Sequence, residues 1–280
     1  MSSIAIKGTP SAARKADRLE SLFRHDRGII VAALCGITGA AWWHMLGEAR
    51  GMQATGLCQC LGMAMSGPDV KPWTLSTLPP LALMWAEMMV AMMVPSAAPM
   101  ILTFARVNHA RREQGRPFVP VSLFLIGYLL VWSGFGAAAA LAQWGMHGAA
   151  LLSPGMKSNS PLLGGALLLG AGIFQWTPWK RGCLQHCRSP LSFLLSAWRE
   201  GRAGAITMGL EHGAYCAGCC WLLMLLLFVV GVMNMLWVAV LSLAVLLEKV
   251  LPQGGKVAAI FGALLCCWGI WMMAGARWVI

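Results

Sequence analysis

The sequence predicts an all-α protein, a polytopic transmembrane helix bundle of about seven spans with its N-terminus inside and its C-terminus outside. Of the 280 residues, 58% are hydrophobic and 11% are charged, whereas a soluble domain carries about 25% charged residues. The apolar residues form runs of about 18 residues or more, the length that crosses a bilayer core about 30 Å thick. Basic residues are concentrated in alternate connections between these runs, as in proteins whose inner loops are positive.

Residues 1–28 form a polar, basic segment before the first apolar run. This segment is longer than the charged start of a signal peptide, and no clear small-residue cleavage site follows the run. Glu20 and Asp26 argue against an organelle transit peptide, which contains few acidic residues. We therefore expect a cytoplasmic tail at 1–28 and a single transmembrane domain at 29–280.

Seven apolar runs are candidates for membrane spans. They lie at about 29–46, 81–105, 121–145, 161–177, 206–232, 235–250 and 256–276. The fourth and sixth runs are short, and the fifth and sixth are close enough to form a tight helical hairpin. With the N-terminus inside, the inner segments carry 17 of the 21 Lys and Arg residues, which supports this orientation. The bilayer therefore explains the net charge of +11, and no nucleic-acid partner is expected.

The fifth run begins with a polar stretch, GLEHGAYCAGCCW. His212, Cys216 and Cys219 are spaced i, i+4 and i+7, so they share one stripe of a helix, with Cys220 at its edge. Imidazole and thiolate bind Zn(II) and Cu(I), and sulfur favours Cu(I). Free cysteines also pack as small hydrophobic residues. A stripe of ionisable groups within a membrane helix nevertheless favours a metal site.

A second group of ligand types follows the fourth run, in the segment KRGCLQHCRSP. Cys183, His186 and Cys187 are too close in sequence for a zinc finger, which needs a second, distant pair. They would complete a site with the fifth span, which begins on the same side of the membrane. A disulfide is the alternative, although the cytoplasmic side is reducing.

The second run contains a ladder of methionines, with Met88, Met92 and Met93 among them. Thioethers bind Cu(I), although methionine is also a flexible packing residue. Glu87 lies within this run, where a carboxyl group must be protonated, paired or bound to a cation. Together these residues indicate a polar path from the outer side.

The connection between the first two spans, 47–80, contains a C-x-C pair formed by Cys58 and Cys60. Oxidation would close a small and strained ring. As free thiols, with Met63 and Met65 nearby, the pair is typical of a Cu(I) capture site. We therefore expect a secondary metal path through Cys58, Cys60, Glu87 and the methionines of the second span.

Long segments of the chain resemble a bacterial family of uncharacterised proteins, predicted to be metal-binding integral membrane proteins. The segments are MWAEMMVAMMVPSAAPM, AGIFQWTPWKRGCLQHCRSPLSFLL and TMGLEHGAYCAGCCW, and the resemblance covers about 80–265. It implies a multi-pass protein of the bacterial inner membrane and carries over no activity. The matching positions are Met92, Met93, Pro95, Gln175, Pro178, Lys180, Cys183, Cys187, His212, Cys216, Cys219, Cys220, Asn234 and Glu248.

The expected function is handling of Cu(I), with zinc as the second candidate metal. The protein would bind copper, deliver it to a client cuproprotein or membrane complex, or transfer it across the membrane. A membrane metalloenzyme or redox partner, using Glu211 or Tyr215 beside the same metal, is an alternative, and so is an assembly factor without metal. The sequence contains no P-loop, G-x-S-x-G or H-E-x-x-H motif, so it does not favour an enzyme.

Overall fold

The computed structural model describes residues 27–51, 74–149 and 160–276. These ranges are helical and contain no strand, so the prediction of an all-α protein is confirmed for this part of the chain. A short 3-10 turn, Leu75–Thr77, precedes α2. The helices are α1 (Arg27–Gly51), α2 (Leu78–Glu113), α3 (Val121–Gly148), α4 (Pro161–Phe174), α5 (Pro178–Arg188), α6 (Pro190–Ala197), α7 (Gly201–Leu225), α8 (Leu227–Val230), α9 (Met235–Val250) and α10 (Gly254–Ala276).

Each predicted span coincides with a helix, but the helices differ in length. In the described ranges, 5 helical stretches are long and apolar enough to cross a membrane: α1, α2 with its preceding turn, α3, α7 together with α8, and α10. Helices α4 and α9 have 14 and 16 residues, or about 21 and 24 Å at 1.5 Å per residue. The long apolar helices are compatible with a membrane protein, while the count of seven spans and the orientation stay predictions.

Helices α3 and α7 pack with their backbones in close contact at two glycines. A Cβ atom on Gly127 would lie 2.2 Å from the carbonyl oxygen of Ile206, and one on Gly209 would lie 2.1 Å from that of Phe124. Glycine is therefore required at both positions for this approach, as in membrane helix pairs that meet through small residues. The contact fixes the position of the polar stretch of α7 relative to α3.

Helix α2 continues through Pro95, which has no N–H to donate within the helix. The carbonyl of Ala91, four residues earlier, instead accepts a hydrogen bond from Trp42 Nε1 of α1 at 3.2 Å. A carbonyl freed by proline inside a membrane helix needs such a partner. The bond also ties α1 to α2.

The segment 178–205, expected to be a charged inner connection, folds into two helices that begin at Pro178 and Pro190. Proline suits the first turn of a helix because its missing N–H would have no partner there. Helix α5 packs on α7. This packing brings two cysteines of the connection against the polar stretch of α7.

Two lysines that the charge pattern assigned to inner loops lie inside the protein instead. Lys180 and Lys249 are 0% and 8% exposed. Lys180 Nζ donates to Glu248 Oε2 at 2.6 Å and to the side-chain oxygen of Gln175. Treating these lysines as loop charges was wrong, because each has a buried acceptor supplied by another part of the chain. The remaining basic residues of the inner segments still outnumber those of the outer segments.

Candidate metal centre

Four thiols meet where α5 packs on α7, and we call them the thiol cluster: Cys187, Cys216, Cys219 and Cys220. All four are buried free cysteines. Cys187 lies close enough to Cys216 and Cys219 to interact with both thiols, and Cys220 interacts with the same two. The contacts are pairwise, since no three ligand atoms of these residues lie within 4.8 Å of one another. This arrangement suits an ion that accepts few ligands.

Two of the thiols also form hydrogen bonds with the helix backbone. Cys219 Sγ and Cys220 Sγ each donate to the carbonyl of Cys216 at 3.0 Å. A thiol is a weak donor, so these bonds are easily given up for a stronger partner. The cluster is thus held in place by the turn of α7 and not by covalent links.

A buried ammonium group lies directly beside the thiol cluster. Lys249 Nζ, from the end of α9, is 2.8 Å from Cys216 Sγ and 3.0 Å from Ser96 Oγ of α2. Tyr128 Oη of α3 is 3.1 Å from the same sulfur and 3.1 Å from the carbonyl of Met93. A charge inside a membrane bundle needs partners of this kind. Helices α3 and α9 therefore contact Cys216 of α7 directly, and α2 holds the two contacting side chains.

His212 lies one turn before Cys216 and is almost fully buried. Its ring packs against Phe124, Tyr128 and Phe193, at centroid distances of 6.0, 5.6 and 5.9 Å. Its Nδ1 has no hydrogen-bond partner within the described part of the chain. Leaving a buried polar atom unpaired costs about 1–3 kcal/mol. A metal ion bound to this nitrogen would remove that cost. The residues present therefore fit a metal ion.

The other two predicted ligands have different surroundings. Cys183 is half-buried and packs over Gly218 of α7, where an added Cβ would lie 3.1 Å from its sulfur. Burial raises the pKa of the Cys183 thiol. His186 is exposed, its Nδ1 pairs with the Gly182 carbonyl at 2.9 Å, and its ring stacks on Tyr215 at 4.2 Å. Cys183 thus borders the thiol cluster, whereas His186 is engaged elsewhere.

The methionines of the predicted path are buried along α2. Met88, Met92 and Met93 are at most 1% exposed. Met93 leads directly to the cluster, because its carbonyl accepts the hydrogen bond from Tyr128, which also contacts Cys216. Glu87 is partly exposed at the start of this row. Cys58 and Cys60 lie outside the described residues.

Sequence reasoning missed three members of the centre: Ser96, Tyr128 and Lys249. Periodicity within one helix does not indicate which groups another helix supplies, and Lys249 contacts Ser96 across 153 positions of the chain. One signal was available. Glu248 and Lys249 interrupt an otherwise apolar helix, and charges in such a place favour buried partners.

Comparison with known proteins gives one match. A family model named PpoB2 and described as a copper chaperone matches residues 82–272. No curated protein and no solved structure matches the chain. The matched range contains the thiol cluster, His212 and Lys249, and it confirms the prediction of a copper-related protein. Because the match covers well over half of the chain, the protein belongs to the PpoB2 family of copper chaperones.

Proposed function

We propose that this protein is a membrane copper chaperone that binds Cu(I) through the thiol cluster and His212 and passes it to a client. The client would be a cuproprotein or a membrane complex. The protein would be a multi-pass component of the bacterial inner membrane, with the seven spans and the N-in, C-out orientation expected from its sequence. Copper is its cargo.

The observation that carries this proposal is the unpaired Nδ1 of His212 beside a group of buried thiols. Packing alone accounts for buried cysteines but gives no reason to bury an imidazole nitrogen without a partner. Soft sulfur ligands favour Cu(I), while Zn(II) prefers four ligands in a closed tetrahedron. The pairwise sulfur contacts therefore support Cu(I) over zinc. Cys183 would complete or receive the site, and His186 would join it only after leaving Tyr215.

Charge balance supports the same ion. A monovalent copper ion held by two thiolates has a net charge of minus one, and an isolated charge is costly inside a membrane bundle. The ammonium of Lys249, 2.8 Å from Cys216 Sγ, would make the filled site neutral. A divalent ion between the same two thiolates would leave the lysine charge uncompensated.

The way to the thiol cluster would follow α2. We propose that Met88, Met92 and Met93 relay copper by thioether exchange and that Cys58 and Cys60 capture it on the outer side. The methionine row ends at Ser96, which hydrogen-bonds Lys249. Glu87, at the outer start of the row, belongs to the same path.

Elemental mass spectrometry of detergent-purified protein tests the proposal. Wild-type protein expressed with copper should contain stoichiometric copper, and the double variant Cys216→Ser with Cys219→Ser should lose it. The matched control is Cys266→Ser with Cys267→Ser, which removes two thiols of α10 that lie away from the cluster. Wild-type protein without stoichiometric copper, or a cluster variant that retains it, would refute the proposal.

No observation in the described residues favours the enzyme alternative. Glu211, a candidate proton-transfer group, is paired with Arg199 at 2.6 Å. Tyr215, the other candidate, is stacked on His186. Both groups thus have partners outside the thiol cluster, and we propose no catalytic role for them.

A further inference from the structure

A second group of metal-ligand side chains lies near the other end of α2, apart from the thiol cluster. His44 and Glu48 are four residues apart on α1, so they lie on the same face of that helix. Glu87 of α2 faces them, with Glu87 Oε2 2.9 Å from His44 Nδ1. One ligand atom of each residue lies within 4.8 Å of the other two. A single cation can therefore contact all three side chains.

The two helices that carry these ligands are fixed to each other. Trp42, next to the ligands on α1, donates to the Ala91 carbonyl of α2 at 3.2 Å. Met45 and Ala49 of α1 are buried, while the neighbouring His44 and Glu48 are exposed. The ligands thus project from a packed helix pair and not from a loop, which is the arrangement that holds a metal site in place.

We propose that His44, Glu48 and Glu87 form a second metal site that takes a divalent first-row cation, with Cu(II) preferred. An imidazole and two carboxylates are nitrogen and oxygen ligands, which suit Cu(II) and Zn(II), and affinity for such sites peaks at Cu(II). Two carboxylates also neutralise a divalent charge. The thiol cluster, with its soft ligands and its own ammonium group, selects against that ion.

The position of the site indicates its purpose. Glu87 is nine residues before Ser96, or about 14 Å along α2 at 1.5 Å per residue. The charge pattern places this end of the helix on the outer side. The His44 and Glu87 side chains are 62% and 26% exposed, so the rest of the protein does not enclose them. The site would bind the oxidised ion at the start of the methionine row. Two of its ligands, His44 and Glu48, lie outside the range that the family model matches.

A bound cation also explains the placement of Glu87. A carboxylate within an apolar helix is costly unless it is paired. In the described structure His44 supplies one partner to one oxygen. A divalent cation would hold both side chains and bring in Glu48, which is otherwise only a neighbour.

Electron paramagnetic resonance with Cu(II) tests the site directly, because Cu(II) is paramagnetic and Cu(I) is silent. Full-length detergent-purified protein, titrated with Cu(II) and freed of excess ion by gel filtration, should retain one equivalent with nitrogen coupling from one imidazole. The thiol variant Cys216→Ser with Cys219→Ser should retain the same signal. The thiol variant distinguishes the Cu(II) site from the proposed Cu(I) site, because either site can be absent while the other is present.

Variants of each ligand and matched controls complete the experiment. His44→Ala should abolish the nitrogen coupling and weaken Cu(II) binding by at least about tenfold, since losing even an outer-shell partner costs 10–100-fold. Glu48→Gln and Glu87→Gln should weaken binding similarly. His109→Ala and Glu113→Gln, on the opposite end of α2, should leave the spectrum and affinity unchanged.

Three results would overturn the proposal. They are a wild-type protein that retains no Cu(II), a His44→Ala spectrum identical to that of wild type, and a signal lost in the thiol variant. Monodisperse elution of each variant shows that it is folded. Glu48→Gln, a nearly isosteric change at an exposed position, decides the question if His44→Ala does not elute as a single species.

Discussion

Replacing Lys249 with glutamine tests the charge balance proposed for the thiol cluster. Glutamine is nearly as long, uncharged and without a sulfur atom that binds Cu(I). Lys249→Gln therefore removes the ammonium that lies 2.8 Å from Cys216 Sγ and preserves most of the packing. If the filled site is an anionic copper dithiolate neutralised by this lysine, the variant must hold a net negative charge inside the bundle. Cu(I) binding should then weaken.

The structure gives the size of the effect. Two unit charges 2.8 Å apart interact by about 6 kcal/mol at an effective dielectric constant of about 20. Part of this attraction is offset by the desolvation of the ammonium, and removing one partner of a buried pair typically costs 3–5 kcal/mol. At 1.4 kcal/mol per factor of ten, Cu(I) affinity should fall by at least about 100-fold.

Competition with a chromophoric Cu(I) chelator under anaerobic conditions measures this affinity. Lys256→Gln, which removes an exposed lysine from the start of α10, is the matched control and should bind as wild type does. Binding by Lys249→Gln within about threefold of wild type would show that the ammonium does not balance the site. Tighter binding would show that Lys249 competes with copper for Cys216, and the charge argument would then be wrong.

Three further variants test the fold and the site. Replacement of His212 with leucine should lower Cu(I) affinity yet raise the melting temperature of the metal-free protein, because it removes an unpaired buried nitrogen worth about 1–3 kcal/mol; melting with and without copper separates the two effects. Gly127→Ala should destabilise the protein by about 1–3 kcal/mol or more through overpacking. Gly134→Ala should not, because an added Cβ there would meet no other atom within 4 Å, and thermal unfolding distinguishes the two variants. Lys180→Met should lower the free energy of unfolding by about 3–5 kcal/mol, because it leaves Glu248 buried and unpaired. The double variant Lys180→Met with Glu248→Leu should recover most of this stability in the same assay.

The sequence was sufficient for the parts of the structure that depend on one helix at a time. Hydrophobic runs located the helices because a bilayer-length apolar segment has few other ways to satisfy its backbone. The spacing of His212, Cys216 and Cys219 placed them on one stripe because the helical repeat is fixed. Whether that stripe binds copper is a prediction that the variants above address.

The parts that depend on contacts between helices could not be derived in this way. Cys187 joins the thiol cluster because α5 turns back onto α7, and nothing in the spacing of its own segment distinguishes it from His186, which turns away. Charge counting misplaced Lys180 and Lys249 because a lysine at the end of an apolar run looks the same in sequence whether it faces water or a buried acceptor. Glu48 was overlooked because Glu87, which lies near it, belongs to another helix.

Helix α2 runs between the two proposed metal sites of the described structure. Glu87 presents a carboxylate near one end, Met88 and Met92 follow, and Ser96 holds the ammonium that contacts Cys216. The Ala91 carbonyl accepts a hydrogen bond from Trp42, which holds this part of α2 against α1. The Tyr128 hydroxyl contacts both the Met93 carbonyl and Cys216 of the thiol cluster. The hard ligands lie beside one part of α2, and the thiol cluster of α5 and α7 is linked to another part of α2 through Ser96 and Lys249. Two such sites would select different oxidation states of the same metal, because their ligands differ. We therefore propose that the order of ligand types along α2, with α1, α3, α7 and α9 packed around it, is the structural basis for copper handling.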